Sequence, residues 1–285
     1  MMSNTDPETT AAEYPAATWR LLVTPPMDGA TNMAVDEAIL HALSEGTGLP
    51  TLRFYQWEPA CLSLGYSQRS TDVDEEACQR LGYTWVRRPT GGRAILHTDE
   101  LTYSVIVPET EPRVVGGIIE SYRRLSTGLL AGLRVMGADV FQAVDKKGHN
   151  PHQGAACFDT PSNYEITVTG KKLIGSAQVR RRQGVLQHGT LPLVGDLDRI
   201  FACLSRVRGA GVSHSEPTLT EHALTLEQAM GRQVSFTEAA QALAQGFALA
   251  LNLTLKPQEL TSREQELTEE LRRDQYANDS WNRRT

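Results

Sequence analysis

The chain has 285 residues and a formal charge of −6, from 28 Lys+Arg against 34 Asp+Glu. That length suits one large domain or one domain with a small appendage, and a chain this acidic lacks the basic footprint of a general nucleic-acid binder. No apolar run approaches the roughly 20 residues that span a bilayer, and Met1 to Thr18 carry no apolar signal core, so neither a membrane protein nor an exported one is expected.

After a disordered start over residues 1–18, Trp19 to Val23 reads as a strand. Thr31 is placed to cap a helix running to Leu43. Thr51 to Gln56 and Cys61 to Gly65 read as strands around the breaker Glu58-Pro59. Asp74 opens a short helix that Gly82 ends, and Thr84 to Arg88 is the next strand. A tight turn at Pro89-Thr90-Gly91-Gly92-Arg93 leads to strands over Ala94 to His97 and Leu101 to Val107. Ile118, Tyr122, Leu125, Leu129, Leu133 and Met136 recur every three or four residues, the signature of a helix with one buried face. Beyond a polar loop, Tyr164 to Val168 and Lys172 to Val179 bracket a hairpin turn at Thr169-Gly170, and Val185 to Leu193 follows Gly184. Past residue 196 the pattern turns helical, with Phe236 to Leu251 Ala-rich and Gln258 to Arg273 mostly charged. The fold class is therefore α+β: a mostly antiparallel sheet with packed helices and a small helical C-terminal portion. The expected division is a core over 19–195 with residues 196–285 packed on it.

The four cysteines, Cys61, Cys78, Cys157 and Cys203, show neither a Cys-x-x-Cys pair nor regular spacing. That pattern supports neither a zinc ribbon nor a disulfide framework and fits reduced thiols in a cytoplasm, most of them buried as small apolar groups. Three segments could carry chemistry. Gly91-Gly92 lets backbone approach a ligand closely, or simply makes a turn. Cys157, after a glycine-bearing loop, is either an accessible thiol or an inert core residue. Lys172, in Gly170-Lys171-Lys172-Leu173-Ile174-Gly175-Ser176-Ala177, shares a face with Ile174 and Ser176 if the strand alternates regularly, and so either enters a pocket or faces solvent. Together they suggest more than each does alone, because an ammonium beside a thiol favours the nucleophilic thiolate. Two alternatives stay open: a metal held by His149, His152 and Cys157, and a Cys–His pair using His188.

These residues resemble the biotin/lipoate protein ligase superfamily over roughly residues 19–195. Arg87 to His97 resembles its acyl-binding loop, Gly170 to Ala177 its lysine-bearing hairpin, and Gln187-His188-Gly189-Thr190-Leu191 the strand that follows. Arg93 departs from the pattern, since the ligases more often carry a small residue there. Cys157 with Lys172 fifteen positions on resembles the cysteine-dependent protein octanoyltransferases of the LipM type. The resemblance implies that Cys157 carries an octanoyl thioester and that Lys172 activates it, with no metal and no cofactor. Arg88, Thr90, Gly91, Gly92, Arg93, His97, Gly175, Ser176 and Ala177 would bind the acyl group. It also implies octanoyl-acyl carrier protein as donor and a lipoyl-domain protein, such as the glycine cleavage H protein, as acceptor. The same fold would serve an ATP-dependent lipoate ligase, an amidotransferase between lipoyl-domain proteins, or a silent acyl-protein binding module. Because those partners are acidic, Arg180-Arg181-Arg182 and Lys146-Lys147 are the expected basic docking face.

Overall fold

A computed structural model describes residues 14–142, 166–205 and 218–284. Strand β1 (Ala17–Val23) starts two residues before the expected boundary and leads into helix α1 (Gly29–Ser44). The cap of α1 is Asp28 rather than Thr31: its carboxylate accepts the Thr31 N–H at 3.0 Å and the Thr31 hydroxyl at 2.6 Å. An aspartate there satisfies an otherwise unpaired N–H and places negative charge at the positive end of the helix, so Thr31 is drawn into the first turn. Next come β2 (Thr51–Tyr55), β3 (Cys61–Leu64), α2 (Glu75–Arg80), β4 (Thr84–Arg87), β5 (Ile95–His97), β6 (Glu100–Pro108), α3 (Ile118–Val135) and the two-residue β7 (Phe141–Gln142). Thr169 and Gly170, at φ of 49° and 81°, turn β8 (Ile166–Val168) into β9 (Lys171–Arg181) as the sequence predicts. Strand β10 (Gly184–Pro192) follows, then α4 (Leu226–Met230), α5 (Phe236–Leu251), β11 (Leu253–Pro257), α6 (Ser262–Leu271) and α7 (Asp279–Asn282).

The large sheet has eight strands in the order β11-β1-β2-β6-β10-β9-β8-β7. Strands β11, β1 and β2 run parallel and every other neighbouring pair runs antiparallel, so the expected antiparallel sheet carries a parallel edge. Sequence reasoning did not foresee β11. It lies in the gap between two helical patterns, where Asn252 at φ 51° stops α5 and turns the chain onto β1. Strands β4, β3 and β5 form a small second sheet.

The two faces of the large sheet are built differently. On one, α3 and α5 bury Leu125, Leu129, Leu133, Leu243 and Phe247 against Trp19, Phe54, Tyr103 and Val105. These helices cross at glycines, since a Cβ on Gly246 would lie 2.0 Å from the Gly132 nitrogen. On the other face lies α1, whose Val35, Ile39 and Leu40 pack on Ile106 and Leu186. Helix α6 covers the outside of α1 through Leu267. It is tied to β1 by the fully buried pair Arg20–Glu264, bonded at 2.7 and 2.5 Å. Because α1 is covered on both sides, it buries Asn32, Asp36 and Glu37 along with its apolar residues.

Candidate active site

A cavity of about 420 Å³ opens on the α1 face, between the large sheet, the small sheet and α1. Exposed Gly92 marks its mouth, and Tyr55, Trp57, His97 and Thr102, all buried, mark its depth. Gly175 and Ala177 of β9 and His188 and Thr190 of β10 form one wall, and Met33 of α1 and Ile95 of β5 form others. The glycines are required by proximity: a Cβ on Gly65 would lie 1.9 Å from the Gly92 carbonyl oxygen, and Gly92 itself sits at φ 91°. An enclosed, largely apolar chamber with a few fixed polar groups suits a short apolar chain ending in a polar head.

Two buried polar networks hold its walls. In the first, Arg88 donates to the Ser63 carbonyl (3.1 Å) and hydroxyl (3.2 Å), and to the carbonyls of Gly91 (2.8 Å) and Arg93 (2.7 Å). Ser63 meets His97 Nε2 at 2.8 Å, and His97 Nδ1 meets Glu100 at 2.6 Å. Thr102 donates to the same carboxylate and accepts from Trp57 Nε1 at 2.8 Å, while the Trp57 and His97 rings stack 4.0 Å apart. Ser63, His97, Glu100, Thr102 and Trp57 thus supply one another's hydrogen bonds at the buried end of the pocket, as burial of polar groups requires.

The second network surrounds Asp36. Its carboxylate accepts from Arg53 (2.7 Å), Ser104 (2.9 Å) and Tyr55 (3.0 Å), with His188 Nδ1 at 3.6 Å. Burial pushes the Asp36 carboxyl up, but Arg53 and His188 outweigh it and hold the group below its usual value. Burial also pushes His188 down, more than Asp36 raises it, so the ring is neutral at pH 7. Its Nε2 lies 2.6 Å from the Thr90 hydroxyl.

Of the residues singled out from sequence, Arg88, Gly92, His97, Gly175, Ser176 and Ala177 line this cavity together. Thr90, Gly91 and Arg93 stand one layer back, Thr90 on His188 and the other two offering carbonyls to Arg88. The departure at Arg93 therefore leaves the turn intact, because its backbone is what the turn uses. Lys172 is buried in β9, its N–H donating to the His222 carbonyl at 2.8 Å, and it lies three residues from the cavity wall. Regular alternation does not hold at that point. Ile166 pairs with Ile174 and Thr167 with Lys172, so β9 carries an extra residue there. Cys157, His149, His152 and Lys146-Lys147 lie outside the described residues. The other three cysteines are buried and line no part of the cavity; burial pushes the Cys61 thiol up to about 12, and the hydrogen bond with Cys78, then burial, raises Cys203.

The expected docking arginines are committed elsewhere. Arg180 donates to the Val114 carbonyl (2.7 Å) and the Ser121 hydroxyl (2.9 Å), and Arg181 pairs with Glu37. Only Arg182 of that run stands exposed in the hairpin turn. Sequence reasoning gave no role to Trp57, Glu100, Thr102 or Asp36, and weighed His188 only as a partner for the thiol. The Asp36 position had one signal, an acidic residue in the apolar stretch of α1.

Comparison with known proteins agrees with the geometry. The lipoyl protein ligase A/B catalytic domain matches residues 28–248. The octanoyltransferase LipM of Kyrpidia tusciae is 48% identical over 272 residues, covering 94% of this chain and 99% of the relative. That of Brevibacillus brevis is 43% identical, covering 93% and 99%. Among solved structures, lipoate-protein ligase A bound with ATP superposes with a TM-score of 0.77 at 25% identity, covering 93% of this chain and 98% of that one. The bi-partite lipoate protein ligase of Thermoplasma acidophilum gives 0.75 at 25% identity, covering 94% and 96%. The match of the family model over residues 28–248, a common fold and near-full-length similarity lead to one conclusion: the chain belongs to the lipoyl protein ligase A/B catalytic-domain family.

Proposed function

We propose that this protein is a cysteine-dependent octanoyltransferase of lipoyl-cofactor assembly, acting in the cytoplasm. Residues 19–195 are its acyltransferase core and residues 196–285 pack on it. The observation that supports this most is the convergence of Arg88, Gly92 and His97 with Gly175 to Ala177 on one buried apolar cavity. An octanoyl chain has six methylenes and a methyl, worth about 5 kcal/mol of burial at about 0.8 kcal/mol per CH₂.

The Cys157 thiolate attacks the thioester carbonyl of octanoyl-acyl carrier protein. The carrier thiolate leaves and an octanoyl-Cys157 thioester remains, a nearly neutral exchange. The free amine of a lysine on a lipoyl-domain protein, such as the glycine cleavage H protein, then attacks that carbonyl. Cys157 thiolate leaves, the amine loses its proton, and an amide forms without nucleotide. Lys172 stabilises the thiolate by its charge.

Intact mass after mixing the protein with octanoyl-carrier protein tests the reading. A hydroxylamine-sensitive octanoyl adduct without ATP, absent in Cys157→Ala, is expected, and Lys172→Ala should move the pH dependence of adduct formation upward. The ATP-bound structural neighbour favours a ligase as the second reading. Acyl transfer that requires ATP and survives Cys157→Ala would establish it instead.

A further inference from the structure

The motif at residues 87–93 opens with two adjacent arginines, and of these Arg88 lines the cavity. The Arg87 side chain points the other way and is fully buried, with no carboxylate among its hydrogen-bond partners in the described residues. It is caged by carbonyl oxygens. One edge of the guanidinium donates to Gly65 and Tyr66 (3.1 Å each) and to Gln68 (2.5 Å), in the turn that leans on Gly92. The other donates to Asn282 (2.9 and 3.1 Å) and Arg284 (3.0 Å), at the C-terminal end of the chain.

The same tail also completes the backbone of Arg87. Strand β4 is the outer strand of the small sheet, so its far edge has no strand partner among the described residues. Asn282 Oδ1 accepts the Arg87 N–H at 2.8 Å and Trp281 Nε1 donates to the Arg87 carbonyl at 2.8 Å. Two side chains of α7 thus stand in for a missing strand at the residue before Arg88. The tail is itself anchored. Asn282 Nδ2 donates to the Tyr276 carbonyl (2.8 Å), Tyr276 bonds Glu37 of α1, and Trp281 packs edge-on against Tyr276 and Tyr66. The Arg284 guanidinium lies 3.6 Å from the Tyr66 ring centre.

We infer that residues 276–284 form a strap that sets the position of the pocket-mouth loop, with Asn282 and Trp281 as positioning residues acting through Arg87 on Arg88 and Gly92. The chain closes on its own site: its last turn fixes the Arg87 backbone from outside, while Arg88 fixes the Gly91 and Arg93 carbonyls from inside. Without the strap, the Arg87 guanidinium keeps only the carbonyls of the 65–68 turn, and the loop is held there by the Tyr66 N–H on the Thr90 carbonyl (2.8 Å) and the Arg88 N–H on the Leu64 carbonyl (2.9 Å). The inference rests on the reading of this cavity as the acyl site.

Steady-state transfer from octanoyl-carrier protein tests it. Asn282→Leu should raise the donor KM by about fivefold or more with kcat little changed, the scale of one lost hydrogen bond with its partner left buried. Asn282→Asp keeps the acceptor for the Arg87 N–H but not the donor to the Tyr276 carbonyl, and should recover part of the lost KM. Trp281→Phe keeps an aromatic side chain, loses the donor to the Arg87 carbonyl, and should raise KM on its own if the leucine variant does not fold. A folded Asn282→Leu or Trp281→Phe with wild-type KM overturns the strap. So does a loss confined to kcat, or one that Asn282→Asp does not recover in part. No octanoyl transfer by the wild-type protein, with Cys157 left unacylated, would overturn the functional reading instead. Binding of octanoic acid, weakened in Asn282→Leu and partly regained in Asn282→Asp, would still support the strap in that case, and unchanged binding would overturn it.

Discussion

The two faces of the large sheet use opposite means to stay packed. The α3/α5 face is apolar and so close that two helices touch through Gly132 and Gly246. The α1 face buries Asp36, Arg53 and His188 beside the cavity, each held by named partners. Burial of apolar area without voids is the cheaper route to stability. Buried charge contributes little net stability and leaves a large penalty when one partner is removed. One face therefore holds the fold together and the other holds a shape around a ligand, and substitutions on the two should fail in different ways.

The largest effect is expected on the apolar face. Gly246→Ala forces a methyl against the Gly132 backbone and should cost about 3 kcal/mol in urea denaturation, with donor KM unchanged in whatever fraction stays folded. Unaltered stability would mean that the helices separate freely and that the two faces do not differ as described. On the α1 face, Asp36→Asn leaves Arg53 without its carboxylate and should cost about 3 kcal/mol while also depressing transfer, joining stability to activity where Gly246→Ala separates them. Gly65→Ala tests the site alone. Its methyl would displace the Gly92 carbonyl, and transfer should fall by about a hundredfold, as a misplacement of about 1 Å can. A melting temperature lowered as far as in Gly246→Ala would remove the distinction between shape and stability.

The smallest effect is a pH dependence. His188 has its pKa lowered in the fold, so its contribution to stability is complete above 6.5. That contribution is lost as pH falls from 6.5 through the lower folded value, because the unfolded chain binds the proton first. Asp36, also lowered, contributes stability present above 3.8 and lost as pH falls through its own folded value. His188→Gln should flatten the first window and shrink the second, because His188 helps hold the Asp36 carboxyl down. Chemical denaturation from pH 7 to 3 measures both, and an unchanged slope below pH 6.5 in the variant would show that His188 is protonated as easily folded as unfolded.

Much of the architecture was legible because it is local. The repeat from Ile118 to Met136 lies on α3, Thr169-Gly170 takes the left-handed conformations a hairpin turn needs, and Asp74 and Gly82 bound α2. Strand β11 was hidden because five residues of weak alternation become a strand only when β1 lies beside them. The site divides in the same way. The glycines and Arg88 stand in one continuous motif, so their neighbourhood was readable. Trp57, Thr102 and Glu100 come together around His97 only after β5 and β6 are placed, and no spacing records that meeting.

What the sequence determined by itself was the set of elements and the motif that opens the pocket, because helix periodicity, caps and glycine turns follow from neighbours a few residues apart. What only the tertiary structure decided was which charges find partners and which of them are buried. Arg180 and Arg181 read as a solvent-facing run and are spent on the Val114 carbonyl and on Glu37, and Arg87, adjacent to Arg88 in the motif, faces the end of the chain. A charged side chain takes its partner from across the fold, and the cost of leaving it unpaired in the interior selects that partner after the backbone has been placed.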